Sequence, residues 1–466
     1  MALQTDYLIK GGGASAMGFL DAMFHHSRAT FTIVDRNDAP GGHWNHGYPF
    51  VRLHQPHDFY GLASRPLGDD RIDLHGTNAG LINLPSGAQV ADHYQRAMEE
   101  VFRPSGRVDY HPMSELNDDG EIVSLLTGRR QRVEVRRRVV DATHLETAIP
   151  LTHRRSFEVA AEVRCIPPND LPRLAPGHAR FVVIGGGKTG LDCVSWLLDR
   201  GAEPAAITWV ISRDAWWSNR RALQSAGTLR SGSLEMLCRQ SEVMATASSV
   251  AAYCEGMEQC GAWLRVDAQI RPTMYHAATV TKAELQRLGH LGCIVRSGKL
   301  LQIEPGRMTL QGGCIDSPAG ALYIDCSASA LSRNCLDRTP VFSPGRIDLQ
   351  FIRFPGLCLS VALTGIIEAF VESDAEKQRM TQVAPMIDTV EDWIDRFVVN
   401  AENQQAWMGH EAVRSWLGVC RLDAVAAMMR AVPADDVVAC RWRDRLRELA
   451  PDVAANMRRL RSMSTG

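Results

Sequence analysis

The sequence lacks the features that mark several common classes of protein. None of its 12 cysteines are paired in the CxxC spacing of a zinc site or redox dithiol. No long run of one charge sign occurs, and the formal net charge is -2, which gives no support to nucleic-acid or membrane-surface binding. We therefore expect free thiols in a reducing cytoplasm, no metal site and no nucleic-acid partner.

Long apolar runs are also missing. The longest, Leu357–Phe370, is too short to span a bilayer and predicts a buried helix. Thr5 and Asp6 stand where the apolar core of a secretory leader would lie, so we expect no leader and no membrane partner. The sequence leaves the oligomeric state open.

The first organised feature is a glycine-rich turn between two short apolar strand patterns. Gly11, Gly13 and Ala16 take the GxGxxA positions of a strand–turn–helix–strand unit, and Asp35 ends the second strand. In such units the glycines make the tight turn and let a pyrophosphate approach, while the acid binds ribose hydroxyls. The pattern predicts a dinucleotide site. A purely structural glycine turn is the alternative.

The same layout returns later in the chain. Gly185, Gly187 and Gly190 form a second fingerprint, and the strand after it ends in Ser212–Arg213 instead of an acid. A carboxylate repels a ribose 2′-phosphate, whereas arginine and a hydroxyl bind it. This site is predicted to bind NADPH. An exposed charge at the strand end is the alternative for Arg213.

Each glycine turn is followed by a hairpin and a strand that end alike, at Asp141–Thr143 and at Asp325–Ser329. The repeat predicts an α/β protein with two Rossmann-like dinucleotide-binding domains, the second inserted in the first, plus a C-terminal helical region. The predicted first domain comprises 1–170 and 331–387, the second 171–330, and the helical region 388–466. Leu171–Arg180 is the predicted hinge.

These features resemble the flavoprotein monooxygenases that bind FAD and NADPH on separate domains, and the Baeyer–Villiger and flavin-containing monooxygenase superfamily in particular. GGHW at Gly41–Trp44 is similar to the GGxW turn of that superfamily. Tyr48–Ser64 is similar to its YPGxR-containing flavin segment, and Ile270–Tyr275 to its KRxP segment. The resemblance covers about residues 5–370. It implies FAD and NADPH as cofactors, and insertion of one oxygen atom from O2 into a small organic substrate through a flavin peroxide.

The resemblance also implies roles for individual residues. His54 stands where the family carries a flavin-side aspartate or asparagine, and we expect it to orient or protonate the flavin peroxide. Arg271 is expected to hold negative charge beside the flavin. A packed core histidine and a surface ion-pair partner are the respective alternatives. The residues expected to bind FAD are Gly11, Gly13, Ala16, Asp35, Arg36, Gly42, His43, Trp44, Arg52 and Thr143, and those for NADPH are Gly185, Gly187, Lys188, Thr189, Gly190, Ser212 and Arg213.

Departures from the family pattern leave other functions open. The FxGxxxHxxx(W/F) linker fingerprint is missing, and DATH at 141–144 replaces an ATG. Lys10 stands at an apolar strand end, where a buried ammonium would be costly; it extends to solvent, lies near the FAD phosphates, or weakens FAD binding. The alternatives are an FAD-dependent NAD(P)H oxidoreductase without oxygenation, and a degenerate nucleotide-binding protein that acts as a sensor or scaffold.

Overall fold

The computed structural model describes residues 2–329 and 338–464, whose strands form four sheets. The strands β1 to β20 are, in chain order, Leu3–Lys10, Phe31–Val34, Val108–His111, Ser114–Leu116, Glu121–Ser124, Arg130–Asp141, Glu158–Val159, Cys165–Ile166, Phe181–Ile184, Ile207–Val210, Ala215–Asn219, Trp263–Leu264, Met274–Val280, Cys293–Val295, Leu300–Glu304, Arg307–Leu310, Gly313–Asp316, Leu322–Asp325, Phe342–Ser343 and Arg346–Asp348. The helices α1 to α13 are Ala14–His26, Gly87–Ala97, Leu171–Leu174, Lys188–Asp199, Leu229–Thr246, Val250–Gln259, Lys282–Leu288, Leu357–Phe370, Asp374–Met380, Val390–Gly409, Glu411–Leu417, Ala424–Arg430 and Val437–Ser464.

The first sheet has the order β19-β20-β6-β1-β2-β3, with β4 and β5 attached through β6. Strand β1 runs parallel to both β2 and β6, as expected for a unit in which helix α1 connects β1 to β2. Helix α1 packs closely on α8, because an added Cβ at Gly18 would lie 2.7 Å from Val361 Cγ2. This packing fully buries Met17 and Leu20 of α1.

The second unit repeats the first. Its parallel sheet has the order β14-β10-β9-β18-β8, so β18, β9 and β10 correspond to β6, β1 and β2. Asp141 Oδ1 accepts hydrogen bonds from the Thr143 N–H at 2.9 Å and hydroxyl at 2.6 Å. Asp325 Oδ1 accepts the same two bonds from Ser327 at 3.0 and 2.6 Å. The predicted fold class is confirmed.

The second unit begins earlier than the predicted boundary at 171. Strands β7 and β8 already pair with β15 and β18 of that unit, so its sheets start at Glu158 and the predicted hinge, Leu171–Arg180, lies inside it. A hinge signal of proline and glycine also fits a short helical connection between two strands. The chain returns to the first sheet where β20 pairs with β6. The predicted crossover near 331 lies outside the described residues.

The helices after Asp388 pack on both units, since α11 buries Val413, Trp416 and Leu417 in the core of the first unit and α13 packs on the second. Helix α13 lies along α5, and the Asn456 amide donates to the Met244 and Ala247 carbonyls at the end of α5, at 2.8 and 3.0 Å. Helix α8 is buried and has the predicted bounds. Across the described ranges, no helix combines the length and apolar character that crossing a bilayer requires.

Candidate dinucleotide sites and the interface between them

The first glycine turn leaves a helix end open to an anion. Gly11 has a φ of +93°, which favours glycine, and an added Cβ there would lie 2.7 Å from Thr143 Cγ2. Gly13 precedes α1, and no side chain caps the helix. Free N–H groups at such an end, together with the helix dipole, favour phosphate. Ala16 is fully buried beneath the turn, so the three small residues are placed as predicted.

Asp35 has an oxygen suited to a ligand. The residue follows β2 and is 5% exposed. Its Oδ1 accepts from the Asn37 N–H at 3.2 Å, whereas its buried Oδ2 has no hydrogen-bond partner. Burial raises the pKa of Asp35. A buried polar atom without a partner costs free energy that a donating ligand would recover, so this oxygen fits a ribose acceptor.

Lys10 extends to solvent, which was the first of its three alternatives. Its side chain is 48% exposed, and Nζ lies 3.8 Å from Asp141 Oδ2. Arg346 also pairs with Asp141, at 2.7 Å. The ammonium is therefore not buried, and the unusual residue imposes no large desolvation penalty on the first turn.

The GGHW segment lies directly on this turn. The Gly41 N–H donates to the Gly12 carbonyl at 2.8 Å, and an added Cβ at Gly42 would lie 2.9 Å from Gly13 Cα. Trp44 Nε1 donates to the Tyr60 hydroxyl at 2.8 Å. The turn thus joins the glycine loop to the predicted flavin segment.

Three other residues predicted for FAD are accessible to solvent. Arg36 is 78% exposed and pairs with Glu115 at 3.2 Å. Arg52 is 54% exposed and lies 4.0 Å from Asp73. His43 is accessible to solvent, but the protein around its ring lowers its pKa through burial, so it lines a recess and not the open surface. Their contacts give no structural support to a cofactor role, which stays a prediction.

The three glycines of the second turn have different surroundings. Gly185 has a φ of +124°, and an added Cβ at Gly190 would lie 2.1 Å from the Gly185 carbonyl oxygen. An added Cβ at Gly187 would have no atom within 4 Å, and no side chain caps α4. Gly185 and Gly190 therefore serve the turn and its packing, while Gly187 faces open space where a pyrophosphate can approach. Thr189 is half-buried on the same turn.

Lys188 turns away from the open helix end and joins an ion pair at the interface between the units. Its ammonium pairs with Asp192, and Asp192 also accepts from the Tyr48 hydroxyl of the first unit at 2.7 Å. Burial, with the charge of Asp192, raises the pKa of Tyr48. Lys188 thus has a carboxylate partner within the protein.

His54 lies at the same interface as a neutral side chain. Its Nδ1 accepts from the Thr279 N–H at 3.2 Å. Burial, assisted by the charges of Lys188 and Arg220, lowers the pKa of His54 to about 3. The ring can donate a hydrogen bond from Nε2, but it carries no extra proton near neutral pH. The expectation that it protonates the flavin peroxide loses support near neutral pH, because burial and two nearby cations keep the ring neutral.

Arg220 is a buried residue that the motifs did not indicate. It is 1% exposed, and it donates to the His54 carbonyl at 2.7 Å and to Asn78 Oδ1 at 2.9 Å. Its guanidinium also forms an ion pair with Glu284 at 3.0 Å. Arg220 therefore fixes the predicted flavin segment against the second unit.

Arg271 and His54 do not come together in the way the resemblance suggested. Arg271 is exposed just before β13 and lies beside Cys254. Thr279, the partner of His54, lies near the other end of that strand. Strand β13 is bulged, since its ends pair with Ala215 and Asn219 of β11, and four steps of about 3.3 Å put those ends roughly 13 Å apart. The predicted charge beside the flavin lacks support from this placement.

Arg213 is bound by a carboxylate of the chain itself. Its two terminal nitrogens each lie 2.7 Å from an oxygen of Asp388, and His276 Nε2 lies 2.9 Å from the same carboxylate. The Arg213 hydrogen bonds lower the pKa of Asp388 to about 2. Ser212 is exposed next to this pair. Asp388 is 175 positions from Arg213 in the chain, and no local motif indicates it.

Three side chains in the described ranges form a possible cation-binding group. His57, Asp58 and Asp70 offer donor atoms within 4.8 Å of one another. The two ring nitrogens of His57 face different carboxylates, each at 3.4 Å. Such groupings are common without an ion where the acids are accessible, and Asp70 is exposed. We assign no metal to this group.

Comparisons with known proteins show which fold and which family the chain has. No protein-family model matches the chain. Among solved structures, the closed crystal structure of cyclohexanone monooxygenase matches with a TM-score of 0.50 and 10% identity, over 97% of this chain and 98% of that one. The chain therefore has the fold of the flavoprotein monooxygenase superfamily, as the resemblance predicted.

Sequence relatives define the family. The chain is 37% identical over 427 residues to "Uncharacterized protein Rv2000" of Mycobacterium tuberculosis and to "Uncharacterized protein Mb2023" of Mycobacterium bovis. The matches cover 92% of this chain and 79% of each relative. The chain belongs to the family of these mycobacterial proteins.

Proposed function

We propose that this chain is an FAD-dependent monooxygenase that takes a hydride from NAD(P)H and inserts one oxygen atom of O2 into a small organic substrate. The observation that carries the proposal is the pair of uncapped helix ends on glycine turns, the first of them followed by the unpartnered oxygen of Asp35. One such turn is common, but two in one fold, with a ribose acceptor after the first, are typical of enzymes that use two dinucleotides.

In this proposal the chain itself supplies binding and electrostatics. The N–H groups after Gly13 and Gly187 bind the two pyrophosphates, and Asp35 binds the FAD ribose. Bound FAD would accept the hydride and activate oxygen, since that chemistry belongs to the cofactor. Neutral His54 donates a hydrogen bond without adding charge, and Tyr48 fixes the first unit to α4.

The hydride donor is NADPH or NADH. The Arg213 guanidinium that favours NADPH is bound to Asp388, so the preference between the two donors depends on that contact. A reducing cytoplasm is the proposed compartment, which is supported by free thiols at all cysteines of the described ranges.

The full-length protein tests this proposal. We expect it to purify with FAD, to oxidise NAD(P)H, and to incorporate one atom of isotope-labelled dioxygen into a substrate found by mass-shift screening. Bound FAD and NAD(P)H oxidation without labelled product from any substrate would favour the reductase alternative. A protein that binds neither FAD nor NAD(P)H would favour the sensor or scaffold.

A further inference from the structure

The two units can be compared position by position at their nucleotide ends. The last residue of β10 pairs with the last of β9, as the last residue of β2 pairs with the last of β1. Ile211 is therefore the counterpart of Asp35. The glycine turns agree, because an added Cβ would meet Asp35 at Gly12 and Ile211 at Gly186.

This match places Arg213 beside the second nucleotide turn. An added Cβ at Gly186 would lie 3.2 Å from the Arg213 carbonyl oxygen, so the backbone of Arg213 lies against the glycine loop. The end of this strand is where dinucleotide folds recognise the 2′ position of the ribose. Ile211 is buried and carries no acid that could bind the ribose. The nearest residue along the chain with a rigid set of hydrogen-bond donors is Arg213.

The carboxylate of Asp388 is held against Arg213 by a fixed backbone. The Tyr275 N–H donates to the Asp388 carbonyl at 2.9 Å, and the Asp388 N–H donates to Asp392 at 3.0 Å. The side chain of Asp388 then accepts from both Arg213 and His276. An anion lying between two potential cations is the arrangement that a bound phosphate group would also adopt.

A ligand phosphate can reach this position. The side chains of Arg213 and Asp388 are 44% and 31% exposed, so solvent touches both partners. The Asp388 carboxylate binds both terminal nitrogens of Arg213, which is the bidentate geometry that a phosphate also takes. A 2′-phosphate that binds Arg213 in that way has to displace the Asp388 carboxylate.

We propose that Asp388 is an internal anion that occupies the 2′-phosphate position and thereby sets the preference between NADPH and NADH. The inference rests on the nicotinamide-nucleotide site of the proposed function. With Asp388 in place, Arg213 gives NADPH little advantage over NADH. Without it, Arg213 and His276 form a site selective for the 2′-phosphate.

The test measures binding of two probes to the full-length protein by calorimetry. Adenosine 2′,5′-bisphosphate carries the 2′-phosphate, and adenosine 5′-monophosphate lacks it. We expect the parent to bind them within about threefold of each other. Asp388→Asn should bind the bisphosphate about tenfold to a hundredfold more tightly, as a charge-assisted contact allows, and leave the monophosphate unchanged.

Two further variants make the result specific. Glu391→Gln removes an exposed carboxylate three positions away and should leave both affinities within about twofold of the parent. Arg213→Ala, which leaves the Asp388 carboxylate in place without its partner, should turn the ratio against the bisphosphate, because the unpaired carboxylate repels the 2′-phosphate. That result stands even where Asp388→Asn fails to fold.

Either of two results would overturn the inference. One is a parent that already prefers the bisphosphate by tenfold or more and loses that preference in Arg213→Ala. The other is a folded Asp388→Asn protein with the affinities of the parent. Failure of both probes to bind any variant, by contrast, would remove the second nucleotide site and with it the proposed function.

Discussion

Two glycines of the second turn, three positions apart, should respond in opposite ways to the same substitution. Gly190→Ala places a Cβ 2.1 Å from the Gly185 carbonyl oxygen, so α4 has to move away from β9. Overpacking of this kind costs about 1–3 kcal/mol of unfolding free energy. Gly187→Ala adds a Cβ with no atom within 4 Å, and its φ of -88° suits alanine. Its unfolding free energy should stay within about 1 kcal/mol of the parent.

Nucleotide binding should then separate the two variants. The methyl group of Gly187→Ala fills the space where the pyrophosphate approaches the backbone, and losing one charge-assisted contact costs about 1.5–3 kcal/mol, roughly tenfold to a hundredfold in Kd. Urea denaturation measures the stability, and fluorescence titration with NADPH and NADH measures the binding. The reasoning is refuted if Gly187→Ala binds both nucleotides like the parent, or if Gly190→Ala keeps the parent's stability.

Three further outcomes are expected. Gly13→Val should purify without FAD, because its branched side chain meets Gly42 and the pyrophosphate; full flavin occupancy would contradict the first site. Arg220→Met leaves Glu284 buried without its partner and should lower the unfolding free energy by about 3–5 kcal/mol. The double variant Arg220→Met/Glu284→Gln should recover part of that loss in stability. An unchanged denaturation midpoint in Arg220→Met would show that the pair is not buried. The folded pKa of His54, about 3, lies below its ordinary 6.5, so the unfolded chain binds the extra proton between those values. The free energy of unfolding should therefore fall by up to about 1.4 kcal/mol per pH unit as the pH drops through that window, and it should be constant above it. Denaturation at several pH values measures this, and His54→Asn should show a flatter pH profile.

The sequence predicts the parts of this fold that depend on neighbours in the chain. The GxGxxA and GxGxxG turns and the strand-ending Asp141 and Asp325 are local patterns. Their spacing determines a βαβ unit, because the connection between two parallel strands is short and right-handed. For this reason both sheets follow the predicted repeat.

Contacts between distant segments were not predictable in the same way. The pairing of Arg213 with Asp388 spans 175 positions, and nothing near either residue indicates the other. The neutrality of His54 depends on Lys188 and Arg220, which reach it from the second unit. Arg271 matches a family segment in its letters, but its surroundings follow from the path of β13 and not from the motif.

Arg220 forms buried hydrogen bonds that join the two units. Its guanidinium, with 1% exposure, donates to His54 and Asn78 of the first unit and pairs with Glu284 of its own unit, so rotation of one unit against the other would break the two hydrogen bonds between the units. A hydrogen bond to a charged group contributes about 1.5–3 kcal/mol, so Arg220 opposes any change in the distance between the two glycine turns.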